Sequence, residues 1–138
     1  MTCAIDSSVL LDVFSADPTF GQASLQAVLS QAQRGPLVAC EVVWAEVAAF
    51  FPSGDEMAGA MERLDVRFSA ITPATALFAG GRWKAYRLGG GTRERLMPDI
   101  LIGAHAFLQA DRLLTRDRGF HRQLFTDLVV LAPEGASP

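Results

Sequence analysis

Short apolar runs of strand length alternate with longer segments of helical length along the whole chain. Thr2 to Ile5, Leu37 to Ala39, Val66 to Ile71, Arg112 to Thr115 and Leu128 to Leu131 are the strand-like runs. Between them, Ser7 and Ser8 offer N-cap oxygens ahead of Val9-Leu10-Leu11 and Val13-Phe14, and Asp17-Pro18 ends that helix. Residues 20–33 put Phe20, Leu25, Val28 and Leu29 on one stripe, and Gly35-Pro36 is a turn. Glu41 to Phe51 is apolar on nearly all sides and too long for one strand, which predicts a buried helix stopped by Pro52. A helix follows over residues 55–64. Pro73 suits the first turn of a helix that runs to about Leu88. Gly89-Gly90-Gly91 breaks the pattern, Pro98-Asp99 opens a helix to about Gln109, and residues 118–124 form a short helical stretch.

Strands alternating with helices predict a parallel sheet covered on both faces. The expected fold is therefore a three-layer α/β/α domain with a central, mostly parallel sheet of about five short strands. The 138 residues, half of them hydrophobic, suit one domain over residues 1–132, with residues 133–138 as a loose tail. The N-terminus lacks the basic and apolar regions of a signal peptide, and no apolar run approaches the roughly 20 residues that span a bilayer. Cys3 and Cys40 lie in apolar segments with no zinc-binding spacing, so they read as buried free thiols.

Four acids stand at the ends or edges of core-forming segments: Asp6, Glu46, Asp99 and Asp117. Burying a carboxylate is costly unless it is paired, hydrogen-bonded or bound to a metal. Asp6 follows the first strand, Asp117 follows the run ending at Thr115, and Asp99 opens a helix. Ligands of parallel sheets bind outside the carboxyl ends of the strands, and these three acids map to that edge. Glu46, about one turn into its helix, can reach it as well. Plainer readings stand beside this one. Asp6, Asp99 and Asp117 could each be a helix N-cap, and Glu46 an exposed edge residue. Glu41 competes with Glu46, but at a helix start it suits the helix dipole. Asp12 approaches the rim of the edge and is more often solvated there. His105 reads as a packed histidine and His121 as a surface one. Trp44, Phe50, Phe51, Phe78 and Trp83 read as core or interface.

Net charge is −3, but it is unevenly spread. Residues 82–122 hold nine of the twelve Lys and Arg and carry +5, whereas residues 1–81 carry −6. A basic region beside an acidic one can steer a polyanion toward a metal site. Hydrolysis of a phosphodiester needs an activated water, neutralised phosphoryl oxygens and help for the leaving oxygen. Mg²⁺ or Mn²⁺ held by carboxylates can supply all three.

The acidic segments also resemble a known family. Asp6-Ser7-Ser8-Val9-Leu10-Leu11 is similar to the opening motif of PIN domains, and Trp44-Ala45-Glu46-Val47 to their second acidic motif. Pro98-Asp99-Ile100-Leu101-Ile102-Gly103-Ala104-His105-Ala106 and Leu114-Thr115-Arg116-Asp117-Arg118-Gly119-Phe120 resemble the third and fourth. The match runs in order over nearly the whole chain, and its size resembles the VapC toxins of type II toxin–antitoxin pairs. The resemblance implies a cytoplasmic, Mg²⁺-dependent endoribonuclease, with Mn²⁺ as a plausible substitute, that leaves a 5′-phosphate. It implies Asp6, Asp99 and Asp117 as direct or water-bridged metal ligands, Glu46 as a fourth acid acting through water, and Thr115 as a hydroxyl that orients Asp117 or a bound water. It further implies a VapB-like antitoxin that places a basic residue among the acids, a homodimer, an RNA substrate and no membrane. Gly103 stands where alanine is commoner, and the Gly89–Gly91 run with Arg93 and Arg95 has no counterpart in the pattern. Two other readings are a PIN ribonuclease of RNA processing without an antitoxin, and an inactive PIN-like binding module. A haloacid-dehalogenase-type phosphatase would need a second Asp at position 8, where this chain has Ser8.

Overall fold

The strand β1 (Cys3–Ile5) is buried at every residue, and it sits in the middle of a five-stranded sheet. The computed structural model describes residues 1–91 and 96–134. Arg93, Arg95 and the end of the tail, residues 135–138, lie outside the described residues. The elements follow in the order α1 (Ser7–Phe14), α2 (Gly21–Ala32), β2 (Leu37–Ala39), α3 (Glu41–Ala48), α4 (Gly54–Arg63), β3 (Val66–Phe68), α5 (Pro73–Leu88), α6 (Leu96–Gln109), β4 (Arg112–Leu114), α7 (Arg118–Leu124) and β5 (Val129–Leu131). The strand order is β3-β2-β1-β4-β5, and every pair is parallel. The expected α/β sheet is thus parallel throughout. Burial on both faces explains why Cys3, Ala4, Ile5, Leu113 and Leu114 read as unbroken apolar runs rather than alternating ones.

Three boundaries differ from the sequence reading by more than one residue. α3 ends at Ala48, and residues 49–51 form a turn, because the residue before Pro52 is pushed away from helical geometry. α6 starts at Leu96, ahead of Pro98. A proline is tolerated in a first turn, where its missing N–H has no helical partner to lose. β3 ends at Phe68, short of Ile71. The Ser69 N–H still donates to the Ala39 carbonyl at 2.9 Å, but the Ile71 N–H donates to Glu41 Oε1 at 2.9 Å and Ser69 Oγ lies 2.9 Å from His105 Nε2, so side chains hold the rest of this loop. Glu41 thus has a structural partner. His105 is buried as expected, and burial holds its pKa below the usual imidazole value, against the opposing effects of Glu41 and a backbone hydrogen bond at Ser69. His121 corrects the surface reading, being fully buried beside Phe120.

The chain runs β1 to β2 to β3 on one side, then crosses to place β4 on the other side of β1. That reversal makes the gap between the carboxyl ends of β1 and β4 the switch point where such sheets bind ligands. α6 leads directly into β4, so it runs antiparallel to that strand, and its N-terminus, with Asp99, lies toward the same carboxyl edge. Among the described residues, no helix is long and apolar enough to cross a membrane.

Candidate active site

Register brings the first two site residues together. Ile5 pairs with Leu114, and Asp6 N–H donates to the Leu114 carbonyl at 2.9 Å, so Asp6 and Thr115 leave adjacent strands side by side. Asp6 is only 5% exposed. It occupies the N-cap position of α1 with extended backbone, yet its side chain makes no capping bond. Asp117, at the N-cap of α7, makes none either. The same chain caps α4 and α5 in the ordinary way: Ser53 accepts from Glu56 N–H and Thr72 from Thr75 N–H. A capping side chain contributes about 1 kcal/mol, so two aspartates that decline to cap have carboxylates directed elsewhere.

Three hydroxyls meet Asp6. Thr115 Oγ1 donates to Asp6 Oδ2 at 2.6 Å, Ser8 Oγ donates to the same oxygen at 3.3 Å, and Ser7 Oγ lies 3.4 Å from Oδ1. Ser7 and Ser8 were expected as N-cap oxygens; instead they are the first two helical residues and turn toward the acids. A hydroxyl has one proton to give. Ser7 sits closer to Glu46 Oε1, at 3.0 Å, so its proton favours Glu46 and leaves Asp6 Oδ1 the less satisfied oxygen. Glu46 is exposed on α3 and is joined to Asp6 through this one serine.

Thr115 is fully buried and joins the other side of the edge. Its oxygen accepts from Asp117 N–H at 3.0 Å while its proton goes to Asp6. It therefore ties Asp117 by the backbone and Asp6 by the side chain. Asp99 and Asp117 are both half-buried, Asp99 in the first turn of α6. The structure thus links Asp6, Glu46 and Asp117 through shared hydroxyls, and Asp99 stands in the first turn of α6.

The donor set suits a hard cation. Among the described residues, the buried Asp6 carboxylate is met by neutral hydroxyls and by no cationic side chain within ion-pair distance. Among the same residues, no three His, Cys, Asp or Glu side chains lie close enough to form a complete protein cage. Mg²⁺ does not need one, since it keeps several waters and takes one or two carboxylates directly.

One part of the site was misread from sequence. Asp12, expected to be solvated, is 4% exposed. It forms an ion pair with Arg116, the residue between Thr115 and Asp117, and also accepts from Ser24 Oγ at 2.8 Å. The signal available was spacing: Asp12 lies about one and two-thirds turns along α1 from Asp6, within reach of a long side chain from the next strand end.

The match to known proteins covers most of the chain. The family model of the PIN domain matches residues 3–124. No curated protein matches the sequence. Solved structures with the same fold include VapBC2 from Rickettsia felis bound to a promoter DNA fragment, at 12% identity and TM-score 0.73, covering 96% of this chain and 98% of that one. VapBC-1 from nontypeable Haemophilus influenzae aligns at 19% identity and TM-score 0.71 over 96% and 98%. A toxin–antitoxin complex from Klebsiella pneumoniae aligns at 20% identity and TM-score 0.66 over 95% and 97%. With the acidic motifs in order and the family model spanning residues 3–124, the chain belongs to the PIN domain family.

Proposed function

We propose that the protein is a Mg²⁺-dependent endoribonuclease, able to use Mn²⁺, and the toxin of a VapBC-type toxin–antitoxin pair. PIN domains are nucleases. The observation that carries the reading is the buried Asp6, an N-cap residue that does not cap and whose partners, among the described residues, are hydroxyls. Such a carboxylate is stabilised by a divalent ion at the sheet edge.

In this reading Asp6, Asp99 and Asp117 hold the ion directly or through water, and Glu46 acts through water. Thr115 pins Asp6 Oδ2, which leaves Oδ1 available as a ligand. Ser7 fixes the orientation of the exposed Glu46 toward the same space. The ion, when bound, neutralises phosphoryl charge and makes a bound water more acidic. Water adds to phosphorus, the P–O3′ bond breaks, and the products carry a 5′-phosphate and a 3′-hydroxyl. The substrate is RNA, and the enzyme works in the cytoplasm as a homodimer. The partner is a VapB-like antitoxin that supplies a basic residue to the acids; the similarity to solved VapBC assemblies supports this.

The test is cleavage of RNA by the purified protein with Mg²⁺, with Mn²⁺ and with chelator, beside Asp6→Asn and Asp99→Asn. Metal-dependent cuts bearing 5′-phosphates, lost in both variants, support the reading. Undiminished cleavage by both variants would overturn the site. Growth arrest on expression, relieved by co-expression of a small protein encoded next to the gene, separates a toxin from an RNA-processing nuclease. RNA binding without cleavage under every metal condition would mark an inactive module.

A further inference from the structure

We propose that Asp12 and Arg116 form a positioning pair that sets the Thr115–Asp117 segment against α1, an inference that rests on the nuclease reading above. Arg116 stands between the two residues that meet the acidic edge. Thr115 points to Asp6, and Arg116 reaches along α1 to Asp12, with Nε 2.8 Å from Asp12 Oδ2 and the terminal nitrogen Nη2 3.2 Å from Oδ1. Two parallel bonds from a planar guanidinium to one carboxylate fix direction as well as distance. The guanidinium carbon also lies 4.2 Å from the centroid of the Phe20 ring, and Ser24 Oγ on α2 donates to Asp12 Oδ2 at 2.8 Å. The backbone adds a third tie, Arg116 N–H to Ser8 Oγ at 3.3 Å.

All three anchors, Asp6, Ser8 and Asp12, belong to α1 or its N-cap. A segment held by Thr115 alone could pivot about the Thr115–Asp6 bond. The Asp12 contact, more than a helical turn away, removes that freedom and so fixes where Asp117 stands relative to Asp6. Arg116 is a positioning residue rather than a catalytic one, because its guanidinium already faces a buried carboxylate. The competing role is a direct contact between Arg116 and an RNA phosphate.

The test is steady-state cleavage of a defined RNA oligonucleotide by wild type, Asp12→Asn, Arg116→Gln, Arg116→Lys and the Asp12→Asn/Arg116→Gln double variant. Amide exchange is measured on each protein without metal. Positioning predicts that kcat falls about tenfold or more in both single neutralising variants, since small misplacements are costly, while KM changes less than about twofold. The double variant is no worse than either single one, as expected for residues acting as a unit. Arg116→Lys keeps the charge without the fork and gives an intermediate kcat. In the metal-free protein, exchange at Arg116 and Asp117 rises about tenfold in Asp12→Asn, while β1 is unchanged.

A higher KM in Arg116→Gln with a lower one in Asp12→Asn would identify a phosphate contact and overturn the pair. So would a lower melting temperature with kcat and local exchange unaltered. If wild type cleaves no RNA under any metal, the nuclease reading fails. The exchange data then decide the pair by themselves: raised exchange at Arg116 and Asp117 retains it, and unchanged exchange ends it.

Discussion

Thr115 Oγ1 lies 2.6 Å from Asp6 Oδ2 and bridges strands that are neighbours in the sheet but 109 residues apart in the chain. Both groups are buried, so the hydroxyl proton cannot be replaced readily by water. Thr115→Val keeps the shape and removes the donor. The expected loss is about 1–3 kcal/mol, the cost of leaving a buried acceptor without its partner, read from urea unfolding. RNA cleavage should fall by about tenfold or more, and Thr115→Ser should recover most of it.

Ser7 separates orientation from stability. Its partner Glu46 is exposed, so Ser7→Ala should change unfolding free energy by no more than about 0.5 kcal/mol, as for other surface changes. Cleavage should drop nonetheless, because Glu46 loses the bond that directs it toward Asp6. Equal activity in Ser7→Ala and wild type would remove Glu46's tether from the account.

Gly103 departs from the family pattern for a packing reason. A Cβ built there meets the ring of Phe125, which is 1% exposed and lies tilted against Phe78 and Phe107. Gly103→Ala overpacks the core and should cost about 1–3 kcal/mol, measured by chemical denaturation. Adding Phe125→Leu should return part of that loss.

His105 makes stability pH-dependent. Burial lowers its pKa from the ordinary 6.5, so the folded protein holds the ring neutral where the unfolded chain begins to protonate it. The unfolded state then binds more protons, and stability falls as pH drops through 6.5 until the folded pKa is passed. Melting temperatures between about pH 7.5 and pH 5.5 should decline, and His105→Gln should flatten that decline relative to wild type.

The thiols should be inert. Burial pushes the Cys3 thiol up to about 12, against a smaller opposing effect of Arg112, and burial raises Cys40 as well. Thiolate is the reactive form, so an aromatic disulfide reagent should label neither cysteine in the native protein and both after unfolding. Above pH 9 the unfolded chain releases these protons first, so stability should fall as pH rises toward about 12.

Local rules made much of the fold legible. Apolar runs at β1, β2 and β4 could be placed to within a residue, because a strand buried on both faces must be apolar throughout. Their alternation with helices implied a parallel sheet, and that implied the carboxyl edge on which Asp6 and Thr115 meet. The four acidic motifs of the PIN family were recognisable in order. What local rules missed were long-range partners. β3 ends early because Glu41 takes the Ile71 N–H, and His121 is buried because α7 folds back onto the core.

The sequence by itself determined the α/β class, the order of the acids and the family, since these follow from period, spacing and motif. Only the tertiary structure decided that Asp6 and Asp117 decline to cap their helices, that Ser7 and Ser8 turn to the acids, and that Asp12 is buried against Arg116. A carboxylate's partner is set by which strand lies beside it and which helix crosses it. Asp12 and Arg116 are 104 residues apart, and only the sheet's crossover brings them together.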